Sequence, residues 1–217
     1  MILVTGFEPF GGHPSNPSEE IAKVVDGRVV GGQAVRAAVL PVHHVEAAIA
    51  AENLLREHDP LAVLHVGLAG GRARIALERV AVNVMDYEVA DNAGYQARGE
   101  ACVSGGPAAY LSTLPLPAIL EALTRDGIPA YLSNTAGTYL CNQTLYATLH
   151  AVGAASGRAL VGFMHVPLSP AMVAASGLDQ PSMDPAIGVR AVEVALRVIS
   201  DHLAARLARG WSAGRLA

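Results

Sequence analysis

The chain has 217 residues, of which 52% are hydrophobic and 16% charged, with a mean hydropathy of +0.35. That is enough for one good-sized domain with a sizeable core, and it excludes a disordered acidic or basic tail. The net charge of −4, with 15 Lys and Arg scattered rather than bunched, offers nucleic acid no strong attraction. In chain order, Ile2 to Thr5 reads as a short buried strand. After it, GFEPFGGHPSNPSEE is a long Gly/Pro/Ser/Asn loop of the kind that usually carries function. Phe7 and Phe10 on that loop are two of the three phenylalanines, and they either wall a pocket or pack onto the core. Ser15 or Asn16 caps a helix over Pro17 to Val25.

Ala34 to Leu40 is a second strand, Val45 to Glu57 an amphipathic helix, and Leu61 to Val66 a third, continuously apolar strand. The turn GLAGG (67–71) matches neither a dinucleotide-binding nor a Walker loop, so it is a weak phosphate site. Arg72 to Val89 is strand-like and holds Arg72, Arg74, Glu78 and Arg79 among apolar residues. If Glu78 is buried there, it needs an Arg or His partner. Glycine- and proline-bearing turns span Asp91 to Pro107, with Cys102 away from any helix start. A helix over Pro117 to Arg125 and a strand over Pro129 to Leu132 lead to YLSNTAGTYLCNQTLYATLH (131–150), which reads as strand, turn and helix. Cys141 falls in the first turns of that helix, where free backbone N–H groups and the dipole push a thiol toward thiolate. A small buried apolar residue is the competing account. Ala159 to Val166 is a further buried strand, and Met183 to Leu207 a long closing helix.

Strands and helices alternate without repeats or a linker, which predicts one α/β domain over 1–217 with a largely parallel sheet. Ligands of such sheets bind beyond the carboxyl ends of the strands, where the Gly6–Gly12 loop, the turn before Cys141 and His165 converge. Cysteine and histidine together are the minimum apparatus for nucleophilic acyl transfer. His65 also ends an apolar strand, and spacing does not choose between the two imidazoles. There is no CxxC or HExxH, and His43, His44 and Glu46 make only a weak metal candidate. The apolar N-terminus lacks the basic flank and length of a signal peptide, and no apolar run is long enough to span a bilayer. A cytoplasmic protein with both cysteines reduced is expected.

Several ordered motifs carry a resemblance: VTGFEPFGG (4–12) with NPS (16–18), GGRARIALERVAVN (70–83), DN-G (91–94), GGPAAYLSTLP (105–115), SNTAGTYLCN (133–142) and GFMHVP (162–167). In one register from first strand to last helix, the chain resembles the pyroglutamyl-peptidase I family of cysteine peptidases. The resemblance implies a phosphorylase/hydrolase-like α/β fold and a catalytic triad of Cys141, His165 and Glu78. It implies a pocket for the N-terminal 5-oxoproline ring between Phe7 and Phe10, with Val42, Leu68, Val89, Tyr139 and Leu140 lining the rest. It further implies peptides with N-terminal pyroglutamate as substrates, no metal or organic cofactor, and a homo-oligomer, often a tetramer. Arg72 or the Gly70–Gly71 turn would help hold the oxyanion. The chain departs from the family pattern in HVPLSPAM (165–172) and at Glu88, where some relatives carry Arg. A Cys-dependent amidase or acyltransferase on another acyl group, and a phosphate-binding α/β protein with an inert Cys141, remain the competing readings.

Overall fold

The computed structural model describes residues 1–155, 159–177 and 179–209. Its centre is a seven-stranded sheet built from β1 (Ile2–Phe7), β2 (Val29–Val30), β3 (Gln33–Leu40), β4 (Ala62–Leu68), β5 (Ile75–Glu78), β10 (Ala130–Ser133) and β11 (Leu160–Val166). The spatial order is β10-β5-β11-β4-β1-β3-β2. The pairs β10–β5, β11–β4, β4–β1 and β1–β3 are parallel, while β5 runs antiparallel to β11 and β2 antiparallel to β3. This is a single α/β domain. Among the described residues no helix is long and apolar enough to cross a membrane.

Strand alternation sorts the side chains onto two faces. Ile2, Val4, Leu64, Val66, Leu77, Met164 and Val166 face α1 (Pro17–Val25), α3 (Leu116–Arg125) and α6 (Pro185–Ala208), forming the larger core. Leu3, Phe7, Val63, Val161 and Phe163 face α2 (Glu46–His58) and α4 (Leu140–Ala154). The register puts His65, Gly67, Glu78 and His165 on this second face as well. Glu78 and His165 thus lie on the sheet face covered by α4, the helix that carries Cys141.

Local signals explain most boundaries. Asn16 accepts from Ser18 N and starts α1, with Pro17 in the first turn. Gly6 lets that helix start sit directly on β1, because a Cβ there would lie 2.2 Å from the Ser18 carbonyl oxygen. The strand-like stretch 72–89 is divided into β5, β6 (Val80–Val82) and β7 (Met85–Asp86). The turn-rich stretch after it contains β8 (Arg98–Glu100), which pairs with β7, and β9 (Ala109–Leu111) pairs with β6. The chain departs at 165–172 into an unanticipated short helix, α5 (Pro170–Ser176), capped by Ser169 accepting from Met172 N.

Candidate active site

Cys141 is the second residue of α4, and Tyr139 precedes that helix without a side-chain cap. The thiol lies against Gly67 of β4, where a Cβ would come within 3.0 Å of Sγ and 2.7 Å of the Phe163 ring. Glycine is therefore required for the thiol to approach the sheet. Two strands away, Glu78 ends β5 and sits diagonally from His165 across the antiparallel pair, since Phe163 faces Glu78 and His165 faces Ala76. The diagonal brings His165 Nδ1 to 2.7 Å from Glu78 Oε1. Both are buried, and Arg72 Nη1 donates to the same oxygen at 2.7 Å.

The electrostatics follow from this wiring. Burial alone would push the Glu78 carboxyl up, but the bond and charge of His165, then Ser133 and Arg72, bring it below the usual carboxylate value. Burial lowers His165, with Glu78 partly restoring it and Arg72 adding to the drop, which favours a neutral imidazole beside a carboxylate that would stabilise its charged form. Burial pushes the Cys141 thiol up to about 12, with Glu78 adding to the rise and Arg72 and its own backbone N–H opposing it. Desolvation thus opposes the activation expected from the helix end. Cys102 is also pushed up by burial, to about 11. Both cysteines are free.

Cys141 and His165 open onto one cavity of about 320 Å³, together with Phe10, Leu68, Val89 and Tyr139. Among the described residues no hydrogen bond joins the thiol to the imidazole, a spacing common before substrate tightens a site. A narrow recess adjoins the cavity, lined by Phe7, Phe10, Val42, Leu68, Tyr139 and Leu140 beside Cys141. All seven residues expected around the lactam therefore line these two connected spaces. Phe7 serves both roles weighed for it, packing on Phe163 at 6.3 Å between ring centroids while closing the recess. Phe10 leans on Tyr139 at 5.8 Å. Its loop is pinned by Glu8 Oε1, which accepts from Val42 N and Asn92 Nδ2. Glu88 lies on the cavity rim, so that departure from the family pattern faces the site.

Other expectations change. Arg72 donates through Nη1 to Glu78 and also lines the cavity beside Cys141, with further N–H groups on its guanidinium. Leu168 packs with Leu68 and Met172, which places the 165–172 departure beneath the cavity. His65, fully buried, bonds Thr5 Oγ1 at 2.7 Å and Thr148 Oγ1 at 3.1 Å, and burial lowers it to about 3. It is a neutral tie between β1, β4 and α4. The histidine pair 43–44 gathers Asp91 rather than Glu46, with ligand atoms within 4.8 Å. Asp91 already accepts from His44 N, His44 Nδ1, Ala93 N and Tyr95 N, which commits its lone pairs to the loop. Asn142, missed as a site residue, clamps Val82 and Val84 to the first turn of α4 next to the thiol. Its neighbour in sequence, Cys141, was the available signal.

A family model described as pyroglutamyl peptidase matches residues 1–202. A pyrrolidone-carboxylate peptidase from Pyrococcus furiosus is 44% identical over 205 residues, covering 93% of this chain and 99% of the relative. Pyrrolidone-carboxylate peptidase 1 from Ralstonia nicotianae is 46% identical over 204 residues, covering 92% and 94%. Among solved structures, a mutant pyrrolidone carboxyl peptidase from Pyrococcus furiosus superposes with a TM-score of 0.91 at 43% identity, covering 93% of this chain and 99% of that one.

Proposed function

The chain belongs to the pyroglutamyl peptidase family, an enzyme family of cysteine-type peptidases, and on that premise we propose that it removes N-terminal 5-oxoprolyl groups from peptides through a thioester on Cys141. The observation that carries the reading is the buried Glu78–His165 pair opening onto the same cavity as Cys141, beside an aromatic recess. A 5-oxoproline ring is neutral, with flat apolar faces, one N–H and one C=O. Phe7, Phe10 and Tyr139 suit the faces, and no counter-charge is needed.

In the first step His165 Nε2 takes the thiol proton as Sγ bonds to the 5-oxoprolyl carbonyl carbon. Burial raises the thiol, which favours proton removal coupled to attack. The N–H groups at the start of α4, which have no side-chain cap, are the donors available to the developing oxyanion. The C–N bond then breaks as His165 returns the proton to the leaving amine. Water, deprotonated by His165, attacks the thioester, and the C–S bond breaks to release 5-oxoproline and the thiol. Glu78 fixes the imidazole tautomer and stabilises the imidazolium in both halves.

The test is release of a fluorescent amine from a 5-oxoprolyl amide, run beside alanyl and prolyl amides. Selective turnover of the 5-oxoprolyl amide, lost in Cys141→Ser, is expected. Equal turnover of all three would point to a broader amidase, and turnover of none would remove the peptidase reading.

A further inference from the structure

Glu78 is 0% exposed, yet its two oxygens are treated unequally. Oε1 accepts from both His165 and Arg72, whereas the buried Oε2 has no hydrogen-bond partner. A buried carboxylate oxygen without a donor is unusual enough to require an explanation. The sheet narrows the choice of donor, because β5 has β11 on one side and β10 on the other. Opposite Glu78 these strands present Phe163, which has no donor, and Ser133, which has one. Residues in register on parallel strands share a face, so Ser133 stands on the carboxylate's side of the sheet.

The Ser133 hydroxyl now donates to Thr135 O at 3.0 Å and is approached by Thr135 N at 3.4 Å. Thr135 O and Glu78 Oε2 differ in what can replace the hydroxyl. Thr135 is exposed, so water can take over its carbonyl, while Oε2 is sealed from water. From this asymmetry we propose that Ser133 is a positioning residue for the reaction, its hydroxyl turning onto Glu78 Oε2 when His165 becomes an imidazolium. A donor on Oε2 lowers the carboxylate's affinity for a proton. The proton taken from Cys141 then stays on His165, where the leaving amine collects it, instead of passing to Glu78. Ser133 already contributes to holding the Glu78 carboxyl below its usual value. The same residue ends β10 and opens the turn that leads to Cys141, so the swing touches the acid end and the nucleophile end of the site together.

This role rests on the peptidase reading, and the experiment separates the two. With a 5-oxoprolyl amide, Ser133→Ala should lower kcat about tenfold at unchanged KM. The acid limb of its kcat/KM profile should move to higher pH, since Glu78 loses a donor to its charged form. Ser133→Thr, which keeps a hydroxyl, should restore both. An Ala variant whose acid limb coincides with the unsubstituted enzyme overturns the proposal whatever its kcat, and so does an equal loss in the Ala and Thr variants. If the unsubstituted enzyme turns over no 5-oxoprolyl amide, the peptidase reading fails instead. Ser133 is then judged by ¹³C NMR titration of the Glu78 carboxyl, assigned with Glu78→Gln. A midpoint raised by Ser133→Ala supports the role, and an unchanged midpoint overturns it.

Discussion

His65 and His165 sit on neighbouring parallel strands, offset by two residues, on the same face of the sheet and both buried. One meets two threonine hydroxyls, and the other meets a carboxylate and a cavity. A hydroxyl gives an imidazole a partner without favouring its charged form, so His65 stays neutral and ties three elements together. A carboxylate favours the imidazolium, which suits an equally buried ring to the proton-carrying role proposed for it. Position on the sheet supplies burial, and the partner decides between structure and chemistry.

Replacing each ring in turn breaks the pair most clearly. His165→Gln should lower kcat/KM by about 10³-fold or more while leaving the thermal midpoint near its original value. His65→Ala should do the reverse, costing about 2–4 kcal/mol of stability through a cavity and two stranded hydroxyls while the folded fraction keeps its activity. Amide-release kinetics and urea unfolding on both variants measure this. Glu78→Gln removes the charge that separates the two rings and keeps the shape. Its kcat should fall about 10²–10⁴-fold, as for a misdirected imidazole tautomer, and part of the loss reflects Arg72 left facing a neutral amide.

The third comparison uses pH. The folded value of His65 lies at about 3, below its unfolded value near 6.5, so the unfolded chain binds the extra proton in that window. Its contribution is therefore complete above about pH 6.5 and is lost as pH falls toward 3, at up to about 1.4 kcal/mol per unit. Urea unfolding at pH 7, 6 and 5 should show that slope, and His65→Gln should flatten it. The smallest effect is expected from Thr148→Val, which removes one hydroxyl from His65 and should cost about 0.5–1.5 kcal/mol with kinetics unchanged.

These contrasts mark what sequence could carry. Buried parallel strands announce themselves as unbroken apolar runs, so β1, β4 and β11 were legible, and Asn16-Pro17 announced α1. Periodicity also placed both histidines on strands, His165 next to the end of β11 as expected, but His65 in the middle of β4, which runs on to Leu68. It could not rank them, because their partners arrive from β1, α4 and β5, far away in the chain, and only the family resemblance pointed to His165. The run 72–89 looked continuous because its residue types suit strands, yet Arg79 and Asn83 fall at breaks between three short ones. Arg72's turn back onto Glu78 was hidden for the same reason. At Cys141 the helix start is visible in sequence, whereas the desolvation opposing it depends on what packs over the thiol and is not.

The most direct test of the central claim is to trap the intermediate. Mixing the enzyme with a 5-oxoprolyl ester, quenching in acid and mapping peptides by mass should find one 5-oxoprolyl group on the peptide bearing Cys141, accumulating further in His165→Gln if deacylation is the slower half there. Turnover with no adduct on Cys141 under any quench time, or with the adduct on Cys102, would contradict the account.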